Sequence, residues 1–238
     1  MILRLLSVEL LKIRRKMIWF LIVLGPLGVI GLQAVNFGVR YDYLVGKVYA
    51  DDLWGGLINN VSNLMVPTLF IGIAIIASMA AGIEHQTNAW KQTLALPVTR
   101  GQVFTAKFLL SAVLLLVSSV LTALGTVLLG RILGFVSPVP YGDIAIAAFY
   151  PYLAVMPFLA LQTWLSVIMA NQALPLTAGI LGMIFSMFSY RFEDWIPWKW
   201  PLLINAAGEP LYSVAAGLAL GAIVWLLGCF HFTRKDVR

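Results

Sequence analysis

Residues 79–108 read MAAGIEHQTNAWKQTLALPVTRGQVFTAKF, a polar insert between two long apolar runs. The insert carries a glutamate, a histidine and three basic residues, whereas residues 64–83 and 108–130 contain no Asp, Glu, Lys or Arg. One such charge at the centre of a membrane helix costs about 2.5–3.5 kcal/mol on insertion scales. The two uncharged runs therefore predict a pair of membrane spans joined by a polar link.

The rest of the chain repeats this apolar pattern. It is 61% hydrophobic and 11% charged, with a mean hydropathy of +0.92, and a bilayer solvates that much apolar surface better than a soluble core can bury it. A span needs about 20 apolar residues. Six runs qualify, and continuous runs favour helices over barrel strands. We predict an all-α polytopic membrane protein with one transmembrane domain over residues 1–238 and spans at 17–37, 64–83, 108–130, 144–170, 173–190 and 211–230.

The fourth run is longer than a span requires, so it should tilt, start late, or bend at Pro151 and Pro157. Small residues recur at the spacing of helix contacts, which lets helix backbones approach closely in lipid. The pairs are Gly25 and Gly28, Gly179 and Gly182, and Gly217 and Gly221. They predict packing within the chain, with a dimer seam as the alternative.

Basic residues set the predicted orientation. Six spans put both termini on one side, and eleven of the sixteen Lys and Arg residues lie on that side. The positive-inside rule therefore predicts cytoplasmic termini and a cytoplasmic insert. The net charge of +6 is explained by these membrane edges, so we predict no nucleic-acid partner.

Residues 1–16 precede the first span and predict an interfacial helix on the inner membrane surface. The alternative is a plain basic flank with no further role. In the predicted helix, Leu3, Leu6, Leu10 and Ile13 share one face, while Lys12, Arg15 and Lys16 meet anionic headgroups.

Three tryptophans, Trp195, Trp198 and Trp200, lie in the outer segment 191–210. Because Trp favours the headgroup zone, they predict an aromatic belt. The alternative is a re-entrant element between spans five and six that closes the outer mouth of a pathway. Polar residues within or beside the spans are candidates to line such a pathway, namely Gln162, Ser166 and Asn171.

The sequence offers little enzyme chemistry. His85 and Glu84 are neighbours without a third metal ligand or an HExxH spacing, and Cys229 is the single cysteine. The Gly46-Lys47 pair does not belong to a phosphate-binding P-loop. We therefore predict no catalytic residue, no metal site and no cofactor bound by this chain.

The insert itself predicts a short helix that begins at Thr87 or Asn88 and ends before Pro97. Trp90 and Leu94 are four residues apart and would form one apolar knob. Such a knob fits a groove on a soluble partner. The alternative is an interfacial helix whose Trp90 rests in lipid.

The insert resembles the cytoplasmic link between spans two and three in the permease subunits of ATP-binding-cassette exporters of the type-2 (ABC-2) class. The matching positions are Glu84 at the membrane edge, the stretch Leu94, Pro97, Val98, Thr99 and Arg100, and Lys107 before span three. The tail from Phe232 to Val237 is also similar to the family ending. The compact size and the pair Trp90 and Lys91 are most like the bacitracin- and lantibiotic-immunity branch.

The resemblance implies a membrane subunit that does not hydrolyse ATP itself. A separate ATPase subunit would bind ATP and Mg, and a second permease chain, identical or not, would complete the translocation path. The implied coupling residues are Glu84, Trp90, Lys91, Leu94, Pro97, Arg100 and Lys107. Glu84 and Arg100 could brace the link by pairing with each other or with nearby loops.

The predicted cargo is an amphipathic peptide, an antibiotic or a lipid-like molecule, as in self-immunity or drug resistance. The predicted location is a bacterial plasma membrane. Two alternatives stay open. An ion-coupled secondary carrier is disfavoured because the predicted spans two to six hold no charge. An intramembrane enzyme is the weaker alternative.

Overall fold

The computed structural model describes residues 2–87 and 98–234, which form helices and turns without a strand. The longer helices in these two ranges, in chain order, are α1 (Ile2–Ile13), α2 (Ile18–Val39), α3 (Leu53–Thr87), α4 (Arg100–Ile132), α5 (Tyr141–Ala154), α6 (Met156–Ile168), α7 (Ala173–Met187) and α8 (Pro210–Arg234).

The described helices confirm an all-α membrane protein. By length and composition, α2, α3, α4 and α8 can each cross a membrane, and the bent pair α5 and α6 can form one more span. The fifth predicted run corresponds to α7, which has 15 residues. At 1.5 Å per residue it is about 22 Å long, shorter than a hydrocarbon core of about 30 Å. The described helices therefore account for four or five spans by themselves.

Helix α3 begins well before the apolar run that predicted it, because Asp52 caps its first turn. The Gly55 N–H donates to the Asp52 carboxylate at 2.8 Å. Helix α4 likewise begins at a capping box, in which Thr99 and Gln102 each accept a hydrogen bond from the other's backbone N–H. The segment from Thr99 to Lys107 is thus the start of a long helix.

The fourth predicted span is broken at Val155, between α5 and α6, which are bent by 42°. This fits the bend that the sequence predicted near Pro151 and Pro157. Helix α8 crosses the break closely through two glycines. A Cβ added to Gly217 would lie 2.6 Å from the Ala154 Cα, and one added to Gly221 would lie 2.9 Å from the Met156 Cβ.

The predicted helix contacts of the other glycines also fall within the chain. Gly179 faces Ala74 of α3, and Gly25 of α2 faces Thr68 of α3. Gly28 is the exception, because an added Cβ there would have no atom within 4 Å. The small residues therefore set the spacing of α3 with α7 and of α8 with the α5–α6 break.

Helix α1 packs across one end of the bundle, which we call the α1 end. Ile13 is fully buried, and Leu6 and Leu10 pack against the same core. Leu3 does not, since it is 77% exposed. The α1 end also holds the end of α3, the start of α4 and the link between α6 and α7. It is where the candidate site lies.

Candidate coupling site

Four charged side chains meet at the α1 end. The Lys107 ammonium on α4 lies 2.7 Å from the Glu84 carboxylate on α3 and 2.9 Å from the Glu9 carboxylate on α1. The Lys12 ammonium lies 2.7 Å from the second Glu84 oxygen and also pairs with Glu9. Each lysine therefore binds both glutamates, and we call these four residues the charge cluster.

The charge cluster is buried and neutral. Glu84 and Lys107 are each 1% exposed and Glu9 is 5% exposed. Besides the two carboxylates, Lys107 donates to the Ala80 carbonyl at 2.8 Å, so three acceptors match the three N–H groups of the ammonium. Removing one partner from a buried pair strands the other charge and costs about 3–5 kcal/mol. The cluster therefore fixes α1, α3 and α4 to one another.

Lys12 is the most exposed member of the cluster, and its pKa reflects its partners. Burial lowers the pKa of Lys12, but hydrogen bonds to Glu84 and Glu9, together with their charges, outweigh burial and raise it above 10.5. Because the folded pKa is raised, this contribution to stability is complete below the ordinary pKa and is lost as the pH rises through the folded value. Lys12 is therefore charged and paired throughout the physiological range.

The sequence flagged Glu84 and Lys107, and the structure brings them together. The sequence analysis did not identify Glu9. Its prediction that Lys12 meets lipid headgroups is wrong, because Lys12 pairs with Glu9 and Glu84. One signal was available. On a helical projection Glu9 lies beside the apolar face of α1, one turn from Ile13, and an acid in that position needs a buried partner.

The end of α3 is also tied to α6. The His85 Nε2–H lies 3.2 Å from both the Ser166 and the Val167 carbonyl oxygens. Gln172, in the link to α7, donates to the same Ser166 carbonyl at 2.9 Å. The end of α3 is therefore anchored on α1 and α4 by ion pairs and on α6 by hydrogen bonds.

The start of α4 contacts the end of α8 as well. The rings of Phe104 and Phe232 pack at a tilt of 36° with their centroids 6.4 Å apart, in a core shared with Val98 and Val103. Arg100 donates to the Thr233 carbonyl at 3.4 Å. Glu84, the other residue suggested to brace the link, is bound by the two lysines of the cluster. Movement of residues 98–107 would therefore act on α8 as well as on α1 and α3.

Four predicted coupling residues, Trp90, Lys91, Leu94 and Pro97, lie outside the described residues. The described residues resume at Val98, immediately before Thr99, which caps α4. The described parts of the insert on either side, residues 84–87 and 98–107, are thus part of the α1 end.

The family of this chain follows from comparison with known protein families. Residues 5–189 match the model of a family described as ABC-2 family transporter protein. The protein belongs to the ABC-2 family. Members are membrane components of transporters and not enzymes in their own right, and membership implies partnership with an ABC ATPase. No curated protein and no solved structure matches the chain.

The predicted pathway residues of this ABC-2 protein lie between its own helices. Gln162 is buried and donates to the Pro175 carbonyl at 2.7 Å, which joins α6 to α7. The Ser166 hydroxyl is fully buried and faces the Ser78 hydroxyl at 3.5 Å. Asn171 is exposed in the link and accepts from the Ala173 N–H. Their role in lining a path stays a prediction.

At the other end of the ABC-2 protein, the segment after α7 folds back onto the bundle. A 3-10 turn, Pro197–Leu202, contacts α3, α5, α7 and α8. Trp198 packs its ring 4.9 Å from Phe158 and 6.0 Å from Phe185, whereas Trp195 is 76% exposed. Trp200 donates to the Asp194 carbonyl at 2.8 Å. We call residues 191–209 the outer cap after the side on which the sequence predicts them, and both that side and a role as a gate stay predictions.

Asp194 holds the outer cap together through two contacts. Its carboxylate pairs with Lys199 at 2.7 Å and accepts the Ala206 N–H at 2.7 Å. The hydrogen bond from Lys199 and that from Ala206 lower the pKa of Asp194 below its ordinary value of 3.8. Because the pKa of Asp194 is lower in the folded protein, the stabilisation of the outer cap by these contacts is complete above pH 3.8. It is lost as the pH falls through the folded pKa.

We therefore expect Asp194→Asn to loosen the outer cap at neutral pH without unfolding the helices. The rate of proteolysis within residues 191–209 should rise in the variant at pH 7 and should equal that of the parent once the pH lies below the folded pKa. Glu193→Gln, one residue away and exposed, is the control and should leave the rate unchanged. Equal proteolysis of parent and Asp194→Asn at pH 7 would contradict the assignment.

Proposed function

We propose that the chain is the permease subunit of an ATP-driven exporter, with six spans and both termini in the cytoplasm. A separate ATPase subunit binds ATP and Mg and docks on the insert between α3 and α4. A second permease chain, identical or different, completes the translocation path in a bacterial plasma membrane. The ABC-2 family supports the class of transporter, and the structure of the α1 end supports the docking position.

The single observation that carries the proposal is the buried charge cluster at the base of the insert. Within the insert, Glu84 precedes residues 88–97 and Lys107 follows them, and both pair with residues of α1. A flexible loop would need no such anchor. A segment that transmits force does, because motion of the insert must move whole helices and not only its own residues.

The same contacts define what would move. A displacement of residues 88–97 is transmitted to α3 through Glu84 and to α4 through the Thr99 cap. It then reaches α1 through the cluster and α8 through Phe104. Interfaces of packed helices are bistable and do not deform continuously, so a small displacement at the insert can shift these helices as a unit. In the proposed exporter, this shift opens the path to the outer side.

The cargo of the proposed exporter is an amphipathic peptide, antibiotic or lipid-like molecule, and the proposed branch is bacitracin or lantibiotic immunity. This choice of cargo is supported by the apolar character of the helices between the two ends of the bundle. The charged cluster lies at the α1 end, and the helical surfaces between the ends are mainly apolar. A small hydrophilic ion would need fixed polar ligands along the spans.

Replacing Trp90 and Leu94 together by glutamate tests the docking position. In the proposed complex these two residues are the apolar anchors, and loss of anchors in a protein interface costs about 2 kcal/mol or more each. If the two losses add, we expect the co-expressed ATPase to bind roughly 700-fold more weakly, as measured by co-purification and titration in detergent. Gln92→Glu with Thr93→Glu adds the same charge to the same segment and should preserve binding. Normal binding by the first variant would refute docking at the insert.

An ion-coupled carrier is the alternative, and one observation keeps it in view. Helices α3 and α4 extend beyond the predicted spans, so Glu84 and Lys107 lie buried inside helices, as charged residues of carriers do. However, each carboxylate is bound by two ammonium groups, so the four formal charges of the cluster balance one another. Transport in vesicles under an ion gradient, without ATP or an ATPase subunit, would establish the carrier.

A further inference from the structure

A cleft of about 390 Å³ opens at the α1 end beside the charge cluster. Its long wall is a stripe of α3 from Ile75 to Gln86, and the opposite wall comes from the start of α7, including Leu176. The twelve residues from Ile75 to Gln86 have eleven rises of about 1.5 Å and so span about 16 Å, and the cleft therefore runs from the edge of the bundle along the apolar part of α3. Its volume lies in the range of ligand pockets.

The two ends of this cleft differ in polarity. Lys16 and Gln86 lie at the edge of the bundle, whereas Ile75, Met79 and Leu176 line the deeper part. Among the described residues, no carboxylate lies within ion-pair distance of Lys16. The cleft therefore offers a cation at the membrane edge and an apolar wall below it.

Gln172 adds a second polar feature. Its side-chain N–H groups donate to the Ser166 carbonyl at 2.9 Å and the Met169 carbonyl at 2.6 Å, which fixes the orientation of the amide. The Gln172 carbonyl oxygen is buried and has no hydrogen-bond partner among the described residues. A buried acceptor without a donor is costly, so a donor from a ligand would be favourable here.

We propose that this cleft binds one anionic phospholipid from the leaflet at the α1 end. The phosphate pairs with Lys16, a headgroup hydroxyl donates to the Gln172 carbonyl, and one acyl chain lies along α3 between Met79 and Leu176. Phosphatidylglycerol has all three features: a negative phosphate, hydroxyl donors and acyl chains. Charge complementarity favours it over a neutral or zwitterionic lipid, because basic residues at the membrane edge attract anionic headgroups.

The site links lipid composition to the coupling site. Its α3 wall includes Ile83, the chain neighbour of Glu84, and Gln172 shares the Ser166 carbonyl with His85. A bound lipid would hold the end of α3 against the start of α7. This inference goes beyond the proposed exporter, because it requires neither an ATPase nor a cargo.

The test is thermal unfolding of the purified full chain in detergent micelles titrated with dioleoyl phosphatidylglycerol or dioleoyl phosphatidylcholine. We expect phosphatidylglycerol to raise the midpoint saturably and phosphatidylcholine to do so only weakly. Lys16→Glu should weaken the phosphatidylglycerol effect about tenfold. Arg14→Glu makes the same charge change two residues away and outside the cleft, so its affinity should stay within about threefold of the parent.

A second variant tests the acyl chain. Leu176→Trp fills the deeper part of the cleft and should remove saturable binding, with folding checked by its midpoint without added lipid. Equal response to both lipids, or equal loss in Lys16→Glu and Arg14→Glu, would overturn the site. Equal stabilisation by soluble glycerol 3-phosphate would overturn the lipid assignment in favour of a soluble anion.

Discussion

Replacing Lys107 by methionine is expected to lower the free energy of unfolding by about 3–5 kcal/mol. The substitution keeps the length of the side chain but leaves Glu9 and Glu84 buried with Lys12 as their one remaining cation in the cluster. Denaturant unfolding in mixed micelles measures the effect. Lys47→Met removes an exposed lysine and is the matched control, with an expected change within about 0.5 kcal/mol.

A double variant separates the charge cluster from simple packing. Glu84→Gln with Lys107→Met removes one charge of each sign and leaves the Glu9–Lys12 pair. We expect it to be less destabilised than the sum of its two single variants, because residues in one ion-pair network are not additive. Additive losses would show that the four charges do not act together.

Gly217→Leu is expected to prevent α8 from crossing the break between α5 and α6. Even a Cβ at this position would lie 2.6 Å from the Ala154 Cα and 2.7 Å from its carbonyl oxygen, and backbone cannot move aside as a side chain can. The cost should reach or exceed about 3 kcal/mol, the upper end of ordinary overpacking. Reduced folded yield and a lowered unfolding midpoint would be the readouts.

Gly31→Leu is the control for this prediction. Gly31 lies in α2, is exposed, and an added Cβ there would have no atom within 4 Å. We expect its yield and midpoint to match the parent. A Gly217→Leu protein as stable as Gly31→Leu would contradict the described crossing of α8.

The membrane-helix class followed from the sequence because uncharged runs leave few alternatives in a bilayer. The ends of the helices did not follow, since hydrogen-bond caps set them and apolarity does not. Asp52 starts α3 well before residue 64, and the Thr99–Gln102 capping box starts α4 well before residue 108. Both caps are short local patterns that a reading of hydropathy alone passes over.

The candidate site was predicted in part for a different reason. Glu84 and Lys107 belong to the motif that carried the family resemblance, whereas Glu9 and Lys12 lie far away in sequence and meet them only because α1 folds across the bundle. Similarly, nothing in the spacing of the three outer tryptophans distinguished Trp198. Its partial burial depends on the 3-10 turn, which ends at Leu203 with a positive φ of 61°.

The proposed exporter requires an insert that faces the cytoplasm and binds a separate ATPase. The most direct test is the labelling of a cysteine placed at residue 91, in a chain whose Cys229 is replaced by alanine, with a membrane-impermeant maleimide. We predict labelling in inside-out vesicles, protection when the ATPase subunit is bound, and no labelling in intact cells. Labelling in intact cells would contradict the account.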